Sequence, residues 1–214
     1  DPALRHGAKH LVGYVGVMGN QEGLSDLLRA VHAIVHIHGR RDIRFVLVGS
    51  GPELPHLLKE ADELGVGSFV DFTGRVSDEV LTRTLSSCDL CVNPDTPTQL
   101  NSLSSMNKIV EYMALGKPIV QFDLHEGRVT AGAASLYATS GSSEDFAAKI
   151  MALLDDPVRA GAMGEFGRRR VMDSLSWAHQ VSELLRCYAR VRPRGTSARL
   201  IAEHVGSAPP AVPD

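Results

Sequence analysis

Residues 45–52 read FVLVGSGP, and this stretch decides the fold of the chain. The four apolar residues at its start are typical of a short strand buried on both faces of a sheet, and the glycines and proline that follow end the strand. Apolar residues then recur at helical spacing as far as Leu64, and Gly65 is typical of a helix C-terminus. Residues 69–72 form the next apolar run. The stretch therefore predicts a strand, a helix and a second strand.

The same alternation extends from this unit in both directions. Strand–helix–strand repeats with short connections give a parallel sheet that is covered by helices on both faces. We therefore predict an α/β, three-layer domain with a parallel sheet of about six strands. The predicted strands are residues 10–17, 45–48, 69–72, 90–92, 117–120 and 134–138, and the predicted helices between them are residues 24–35, 54–64, 80–85 and 106–113, with a long loop over residues 93–103.

The end of the chain is predicted to be helical. Apolar residues recur at helical spacing over residues 146–154, 158–172 and 177–191. Prolines and glycines then replace this pattern, which is typical of a loose terminus. We predict one domain over residues 1–192 and a flexible tail over residues 193–214.

Composition bounds the class of protein. The 214 residues include 43% hydrophobic and 22% charged residues, which are ordinary values for a globular chain. A net charge of −3 argues against a dedicated nucleic-acid-binding protein. Three cysteines exclude a disulfide scaffold and favour a reducing compartment, so we predict a cytoplasmic location. The longest apolar run, Leu11–Gly19, is too short for a membrane-spanning helix of about 20 residues. Because the chain begins at Asp1 rather than Met, we expect a processed product or an excised piece.

Ligands of open parallel sheets bind beyond the carboxyl ends of the strands, so the loops at those ends hold the candidate site. Gly16 and Gly19 lie in the first such loop, and Gly74, Arg75 and Val76 follow the third strand. Glycines there let a ligand approach the backbone, although tight turns alone would explain them equally well. The spacing is not GxGxxG and no acidic residue ends the second strand, which argues against a nicotinamide cofactor.

The segment from residue 93 to Asn107 is long and polar, and it leads into a helix. Ser104 and Ser105 lie where an N-cap belongs, before Met106. Free amides at a helix N-terminus bind anions, and we expect such a site here. Lys108 opposes the helix dipole, which favours a bound anion near it. The alternative is an ordinary surface lysine whose amine is hydrated.

Two further groups of ionisable residues point to the same end of the sheet. Glu111 lies close to the apolar stripe of its helix, where a carboxylate needs a partner. Sugar hydroxyls would serve, and an intrahelical pair with Lys108 is the alternative. His125, Glu126 and Arg128 follow the fifth strand, and they are either a ligand-contacting group or a solvated loop.

Several other patterns are better explained without chemistry. His32, His36 and His38 lack a nearby cysteine or carboxylate that would complete a tetrahedral metal site, so we assign them to a helix face that ends in solvent. Cys88 and Cys91 form a CxxC without a second pair, which fits small buried residues. No GxSxG motif for a serine nucleophile is present in the sequence. We therefore predict neither a metal nor a covalent nucleophile.

The late helices are rich in arginine. The residues concerned are Arg168, Arg169, Arg170, Arg186, Arg190, Arg192 and Arg194. Such a cluster is compatible with an anionic membrane surface, and thus with a peripheral location at the inner face of a membrane. A solvated helix face is the alternative.

Residues 111–120 read EYMALGKPIV, and they resemble the signature of group-one glycosyltransferases. The motifs VGSGP at residues 48–52 and FTGRV at residues 72–76 agree with that family in order and spacing, as do the first glycine-rich turn and the helix that begins at Trp177. The resemblance extends from about Leu11 to Val191, which is most of the chain.

The resemblance implies a GT-B fold with two Rossmann-like halves, a retaining transfer of a glycosyl group, and a role in polysaccharide biosynthesis. This chain is similar to the C-terminal half only, which binds the nucleoside-diphosphate sugar without a separate cofactor. The acceptor would be held by an N-terminal half, so this chain is expected to be inactive alone. By the match, Glu111 would hold the ribose, the backbone of residues 105–107 would hold the diphosphate, and residues 74–76 would border the base.

Two departures from the family pattern affect the expected site. Leu103 stands where the family has a first glutamate, which touches the transferred sugar, and residues 17–23 lack the usual cations. Either Lys108, Arg75 or Arg128 replaces those cations, or the donor binds weakly, and we favour the replacement. The resemblance makes Glu111 and Lys108 the expected catalytic residues. Two other functions stay open at this point: a nucleotide-sugar epimerase of the same fold, and a non-catalytic module that binds a nucleotide or a protein partner.

Overall fold

The computed structural model describes residues 1–191. Asp1–Arg169 form one compact unit, and a second unit begins at Arg170. The first unit is built on a six-stranded sheet in the order β3-β2-β1-β4-β5-β6, with every neighbouring pair parallel. The strands are β1 (His10–Val15), β2 (Ile43–Val48), β3 (Val70–Gly74), β4 (Leu90–Asn93), β5 (Ile119–Phe122) and β6 (Ser135–Ala138).

Helices connect the strands and cover the sheet. They are α1 (Leu24–His32), α2 (Leu54–Glu63), α3 (Asp78–Ser87), α4 (Gln99–Leu103), α5 (Asn107–Ala114), α6 (His125–Ala131) and α7 (Ser143–Leu154). Two further helices follow: α8 (Pro157–Arg170), and α9 (Trp177–Val191) in the second unit. The predicted α/β architecture with six parallel strands and flanking helices is confirmed.

The two faces of the sheet are packed by different helices. On one face, the Phe122 ring of β5 lies 4.8 Å from the Phe146 ring of α7, centroid to centroid. On the other face, the Tyr112 hydroxyl of α5 accepts a hydrogen bond from the Val15 amide at 2.9 Å and donates one to the Val92 carbonyl at 3.3 Å. This buried hydroxyl ties α5 to the ends of β1 and β4.

The chain reverses its direction of winding between β1 and β4, since β2 and β3 lie on one side of β1 while β4, β5 and β6 lie on the other. In such sheets the loops on either side of the reversal diverge and leave a crevice beyond the carboxyl ends of the strands. The loops after β1 and β4, together with the start of α5, therefore frame the candidate site.

Two local predictions are wrong. Residues 93–103 are not all loop, because α4 forms within them and the Thr98 hydroxyl caps it by accepting from the Asn101 amide at 3.1 Å. Residues 125–128 open α6 rather than forming a loop. Both helices are too short to show a periodic apolar stripe.

The histidines after α1 lie on a helix face that reaches solvent, as predicted, since His36 and His38 are exposed. His32 is half-buried. Its Nδ1 lies 3.0 Å from the Leu64 carbonyl, and the His36 Nε2 lies 3.1 Å from the Gly65 carbonyl, at the end of α2.

The second unit is described from Arg170 to Val191. A π-helical segment at Val171–Leu175 follows α8, which ends at Arg170, two residues before the predicted end at Met172. Helix α9 has the predicted bounds. Trp177, Leu184 and Tyr188 of α9 are exposed. The predicted tail over residues 193–214 lies outside the described residues, and the domain boundary at residue 192 stays a prediction.

Within residues 1–191, no helix combines the length and the hydropathy that crossing a bilayer requires. In the same part of the chain, no three His, Cys, Asp or Glu side chains come together as a metal site would need.

Candidate functional site

The loops at the carboxyl ends of β1, β2 and β4 press against one another backbone to backbone. Gly23 has a φ of 63°, and a side chain there would overlap the Pro94 carbonyl. Gly49 has a φ of 132°, and a side chain there would overlap the Gly16 carbonyl. Since both positions combine a left-handed backbone with no room for a Cβ, only glycine fits them. The floor of the site is therefore a rigid set of crossing loops.

Of the two glycines predicted in the first loop, only one faces open space. No atom lies within 4 Å of the place where a Gly19 Cβ would stand. The space beside Gly16 is filled by the Tyr14 hydroxyl, which a side chain would strike. Packing against Tyr14 accounts for this glycine without a ligand, and the contact of Gly16 with a ligand stays a prediction.

The turn after β3 is open. Gly74 has a φ of 69° with no atom near the position of its absent Cβ, and its carbonyl accepts the Gly49 amide at 2.9 Å. Arg75 is exposed, and among the described residues its guanidinium makes no hydrogen bond or ion pair. Val76 follows, and Ser77 then caps α3 by accepting from the Val80 amide. Residues 74–76 thus form an open turn with one cation that is free among the described residues.

The N-terminus of α5 is capped differently from the prediction. Met106 occupies the N-cap position, and it offers no side-chain acceptor to the amides of Asn107 and Lys108. The Ser104 hydroxyl instead donates to the Leu100 carbonyl at 2.6 Å, and the Ser105 hydroxyl donates to Glu126 at 3.1 Å. Ser104 and Ser105 are not the N-cap because the short helix α4 occupies the residues before them. The result still favours an anion site, since no side chain within residues 1–191 caps the first amides of α5.

Lys108 is buried in an ion-pair cluster, which we define as Glu22, Asp95 and Lys108. Their side chains are 16%, 2% and 10% exposed, and the Lys108 ammonium bonds to Glu22 and, at 2.9 Å, to Asp95. The Tyr14 hydroxyl donates to Glu22 at 2.9 Å. Burial raises the pKa of Asp95, and Lys108 only partly offsets this effect. Lys108 is therefore not a hydrated surface lysine, and that interpretation of the sequence is wrong. Its expected place beside a bound anion stays a prediction.

Glu111 faces the opposite way from the apolar residues of its helix. Ile109, Tyr112 and Met113 are buried against the sheet, which leaves Glu111 exposed. It lines a cleft of about 420 Å³ between α3 and α5, with an apolar wall formed by Leu81 and other residues. The predicted alternative of a pair with Lys108 is wrong because that ammonium is engaged elsewhere. Among the described residues, the Glu111 carboxylate has no partner.

Glu126 and Arg128, which follow β5, make different contacts. Glu126 reaches the segment before α5 through Ser105. Arg128 binds Asp123 through two hydrogen bonds of 2.8 and 2.6 Å and lies 4.1 Å from the Tyr137 ring centroid. This guanidinium lowers the pKa of Asp123. Of the three cations considered as replacements, Lys108 and Arg128 are paired and Arg75 is free within residues 1–191.

The residues that sequence reasoning missed are Tyr14, Glu22 and Asp95. Glu22 was visible as an acidic residue in a loop where cations were expected, and Asp95 as the first acidic residue after β4. A buried lysine needs carboxylate partners, so the three charges together were the available signal. Their spacing along the chain gave no hint of contact, because 86 residues separate Glu22 from Lys108.

The arrangement is suited to a hydroxylated anion. The free amides at the start of α5 and the free guanidinium of Arg75 offer donors to a negative group. The free carboxylate of Glu111 accepts hydrogen bonds from hydroxyls. All three lie on elements at the carboxyl end of the sheet, where α/β folds of this kind bind their ligands.

Characterised proteins similar in sequence to this chain include glycosyltransferases. The 2-deoxystreptamine glucosyltransferase of Streptomyces kanamyceticus is 25% identical over 186 residues, which cover 85% of this chain and 46% of that protein. A GDP-mannose-dependent alpha-mannosyltransferase of Corynebacterium glutamicum is 35% identical over 94 residues, which cover 44% of this chain and 19% of that protein. This chain spans less than half the length of the curated relatives it matches.

Two solved structures share the fold. The Anabaena protein HepE, crystallised with UDP-glucose, superposes with a TM-score of 0.72 at 20% identity, over 83% of this chain and 49% of that one. Sucrose-phosphate synthase from Thermosynechococcus elongatus gives a TM-score of 0.69 at 24% identity, over 86% and 46% of the two chains.

The family described as "Glycosyl transferases group 1" matches residues 9–156, which include all six strands and the helices α1 to α7. This match covers more than half of the chain and agrees with the motif at residues 111–120. The chain therefore belongs to the group 1 glycosyl transferases.

Proposed function

We propose that this chain is the donor-binding half of a glycosyltransferase that takes its sugar from a nucleoside diphosphate. The observation that carries the proposal is the unpartnered Glu111 carboxylate in the cleft between α3 and α5, on the helix whose first amides are uncapped. The names of the relatives, which include glucosyl- and mannosyltransferases, and the UDP-glucose complex of HepE support it.

Each part of the donor has a matching part of the site. Glu111 accepts hydrogen bonds from the ribose hydroxyls, and the backbone of residues 105–107 binds the diphosphate. The turn at Gly74 and Val76 borders the base. Arg75 is the cation that remains for the negative charge of the donor, since Lys108 and Arg128 are already paired. No separate cofactor takes part in this scheme, because the nucleotide sugar is a substrate.

The reaction places negative charge where this site offers donors. The bond between the anomeric carbon and the phosphate oxygen breaks, and its electron pair leaves with the nucleoside diphosphate. Fixed amide dipoles and a cation stabilise that leaving group. The oxygen of an acceptor hydroxyl then bonds to the anomeric carbon, and its proton passes to an oxygen of the departing diphosphate. Retention of configuration is part of the proposal, and the anomeric proton coupling of the product, measured by NMR, tests it.

The acceptor is assigned to a further half of the same protein. Because this chain spans less than half the length of its relatives, we propose that it binds the donor but does not transfer the sugar alone. Product analysis with and without the other half tests this point. The cytoplasmic location and the membrane-surface contact of the late helices stay predictions, and sedimentation with vesicles rich in phosphatidylserine tests the second.

Calorimetric titration with UDP-, GDP- and ADP-sugars tests donor binding directly. We expect one nucleotide sugar to bind, and Glu111→Gln to weaken it about tenfold, which corresponds to about 1.4 kcal/mol for a lost charge-assisted contact. Glu165→Gln is the matched control, because Glu165 is an exposed glutamate on α8. Absence of binding by the unmodified chain would favour the non-catalytic module, and unchanged binding by Glu111→Gln would remove Glu111 from the site.

A further inference from the structure

The ion-pair cluster lies where three segments of the candidate site meet. Glu22 closes the loop after β1, Asp95 follows β4, and Lys108 belongs to the first turn of α5. The same segments are joined by backbone contacts: the Gln21 carbonyl accepts the Thr96 amide at 3.0 Å. Through Lys108, the cluster therefore links the start of α5 to the loop after β1 and to the segment after β4.

The charges of the cluster do not suit a phosphate ligand. One ammonium faces two carboxylates, which leaves one negative charge in excess. Within residues 1–191, no other cation pairs with either carboxylate; the Tyr14 hydroxyl donates to Glu22, and one oxygen of Asp95 is buried without any partner. An excess negative charge at short range repels an anion. The positive charge of Lys108 is thus already used inside the protein.

The position of the cluster gives it another role. Glu22 belongs to the loop after β1, and Lys108 belongs to the first turn of α5, next to the uncapped amides of that helix. Those amides are the donors that we assign to the diphosphate. Fixed donors bind an anion well only when their spacing is preset, because a flexible pair must be ordered on binding.

We propose that Lys108 is a positioning residue, which holds the loop after β1 against the start of α5 through Glu22 and Asp95 and does not itself contact the phosphates. This inference rests on the proposed function, since it takes the first amides of α5, whose position the cluster fixes, as the donors to the diphosphate. It also explains why a loop that carries an acidic residue at position 22 belongs to an anion site: Glu22 is the partner of Lys108.

A buried ion cluster is replaceable as a set but not one member at a time. Removal of one partner leaves uncompensated buried charges, whereas replacement of the whole set by neutral side chains of similar volume is often tolerated. A direct phosphate ligand behaves differently, because no change in its partners restores the lost contact. The two roles of Lys108 are therefore distinguished by a rescue experiment.

The experiment compares three forms of this chain: the unmodified protein, Lys108→Met, and the triple variant Glu22→Gln, Asp95→Asn, Lys108→Met. UDP, GDP and ADP are titrated into each by calorimetry at two salt concentrations, and amide hydrogen exchange of residues 18–23 is measured without ligand. Lys59→Met is the matched control, because Lys59 forms an exposed pair with Glu63. We expect Lys108→Met to weaken nucleotide binding at least about fivefold and to speed exchange in the loop, and the triple variant to return both to within about twofold of the unmodified protein.

Each result has a defined meaning. A triple variant that binds nucleotide about tenfold more weakly and with a smaller salt dependence, while its loop exchanges normally, would show that Lys108 is a phosphate ligand and overturn the proposal. Unchanged exchange in Lys108→Met would also overturn it. If Lys108→Met does not fold, the triple variant alone decides. If the unmodified chain binds no nucleotide, the proposed function fails, and the exchange rates still decide whether the cluster holds the loop.

Discussion

Lys108 and Glu111 lie one helical turn apart on α5, yet they occupy opposite environments. Lys108 is 10% exposed and bonds to two carboxylates from other segments, whereas Glu111 is exposed in a cleft without a partner among the described residues. The first contributes to the position of the helix, and the second is available to a ligand. The difference shows that a charge near a binding site is not by that fact a binding residue.

The largest expected effect that tests this comparison is on stability. Lys108→Met leaves two buried carboxylates without their cation, and we expect it to lower the free energy of unfolding by about 3–5 kcal/mol. Glu111→Gln removes an exposed, unpartnered charge and should change that free energy by less than about 0.5 kcal/mol. Urea denaturation followed by circular dichroism measures both. Similar losses in the two variants would break the comparison.

A smaller effect is expected where α5 is fixed without charge. Tyr112→Phe removes the hydroxyl that links α5 to the Val15 amide and the Val92 carbonyl, so a buried amide loses its acceptor. We expect a loss of about 1–3 kcal/mol in the free energy of unfolding. Tyr188→Phe on exposed α9 is the control and should have little effect. If the two tyrosine variants unfold alike, the hydroxyl is not what anchors the helix.

The smallest expected effect is on the pH dependence of the free energy of unfolding. Ionisation of Asp95 and of Asp89 changes this free energy in opposite directions. Burial raises the pKa of Asp95 in the folded protein, although Lys108 acts to lower it. In the unfolded chain this pKa lies near 3.8, so Asp95 ionises there at a lower pH than in the folded protein. Ionisation of Asp95 therefore lowers the free energy of unfolding as the pH rises from the unfolded to the folded pKa. Burial also acts to raise the pKa of Asp89, but hydrogen bonds from Arg5 and the Leu11 amide outweigh it, and the net shift is downward. Asp89 therefore stabilises the fold above its unfolded pKa, and this contribution is lost as the pH falls.

Thermal unfolding of Asp95→Asn and Asp89→Asn between pH 3 and pH 7 measures this difference. Relative to the unmodified protein, Asp95→Asn should gain stability as the pH rises, because the opposing ionisation is removed. Asp89→Asn should lose stability as the pH rises, because a favourable ionisation is removed. Curves that shift in the same direction would contradict the assignment of the two environments.

Much of the fold followed from local patterns. The apolar run at residues 45–48 and the periodic stripe at residues 54–64 predict a strand and a helix close to those observed, β2 and α2. The short helices α4 and α6 did not follow, because five and seven residues are too few to show a helical period. The predicted N-cap at Ser104 and Ser105 is wrong because Ser104 is the C-cap of α4 and α5 begins only at Asn107, which places Met106 at the N-cap.

The candidate site was predicted in part. Glu111 and residues 74–76 could be proposed from the sequence because family motifs and strand ends are local features. The pairing of Lys108 was missed because Glu22 and Asp95 are 86 and 13 residues away along the chain. Arg128 was placed in the site for its position after β5, but Asp123 lies close enough to bind it.

By itself, the sequence determined the succession of strands and helices, the end of the sheet at which ligands bind, and the family, because each depends on periodicity or on contiguous motifs. Only the tertiary structure decided which charges are free. Burial and pairing depend on contacts between distant segments, and those contacts bury Lys108 between Glu22 and Asp95 while they leave Arg75 and Glu111 exposed.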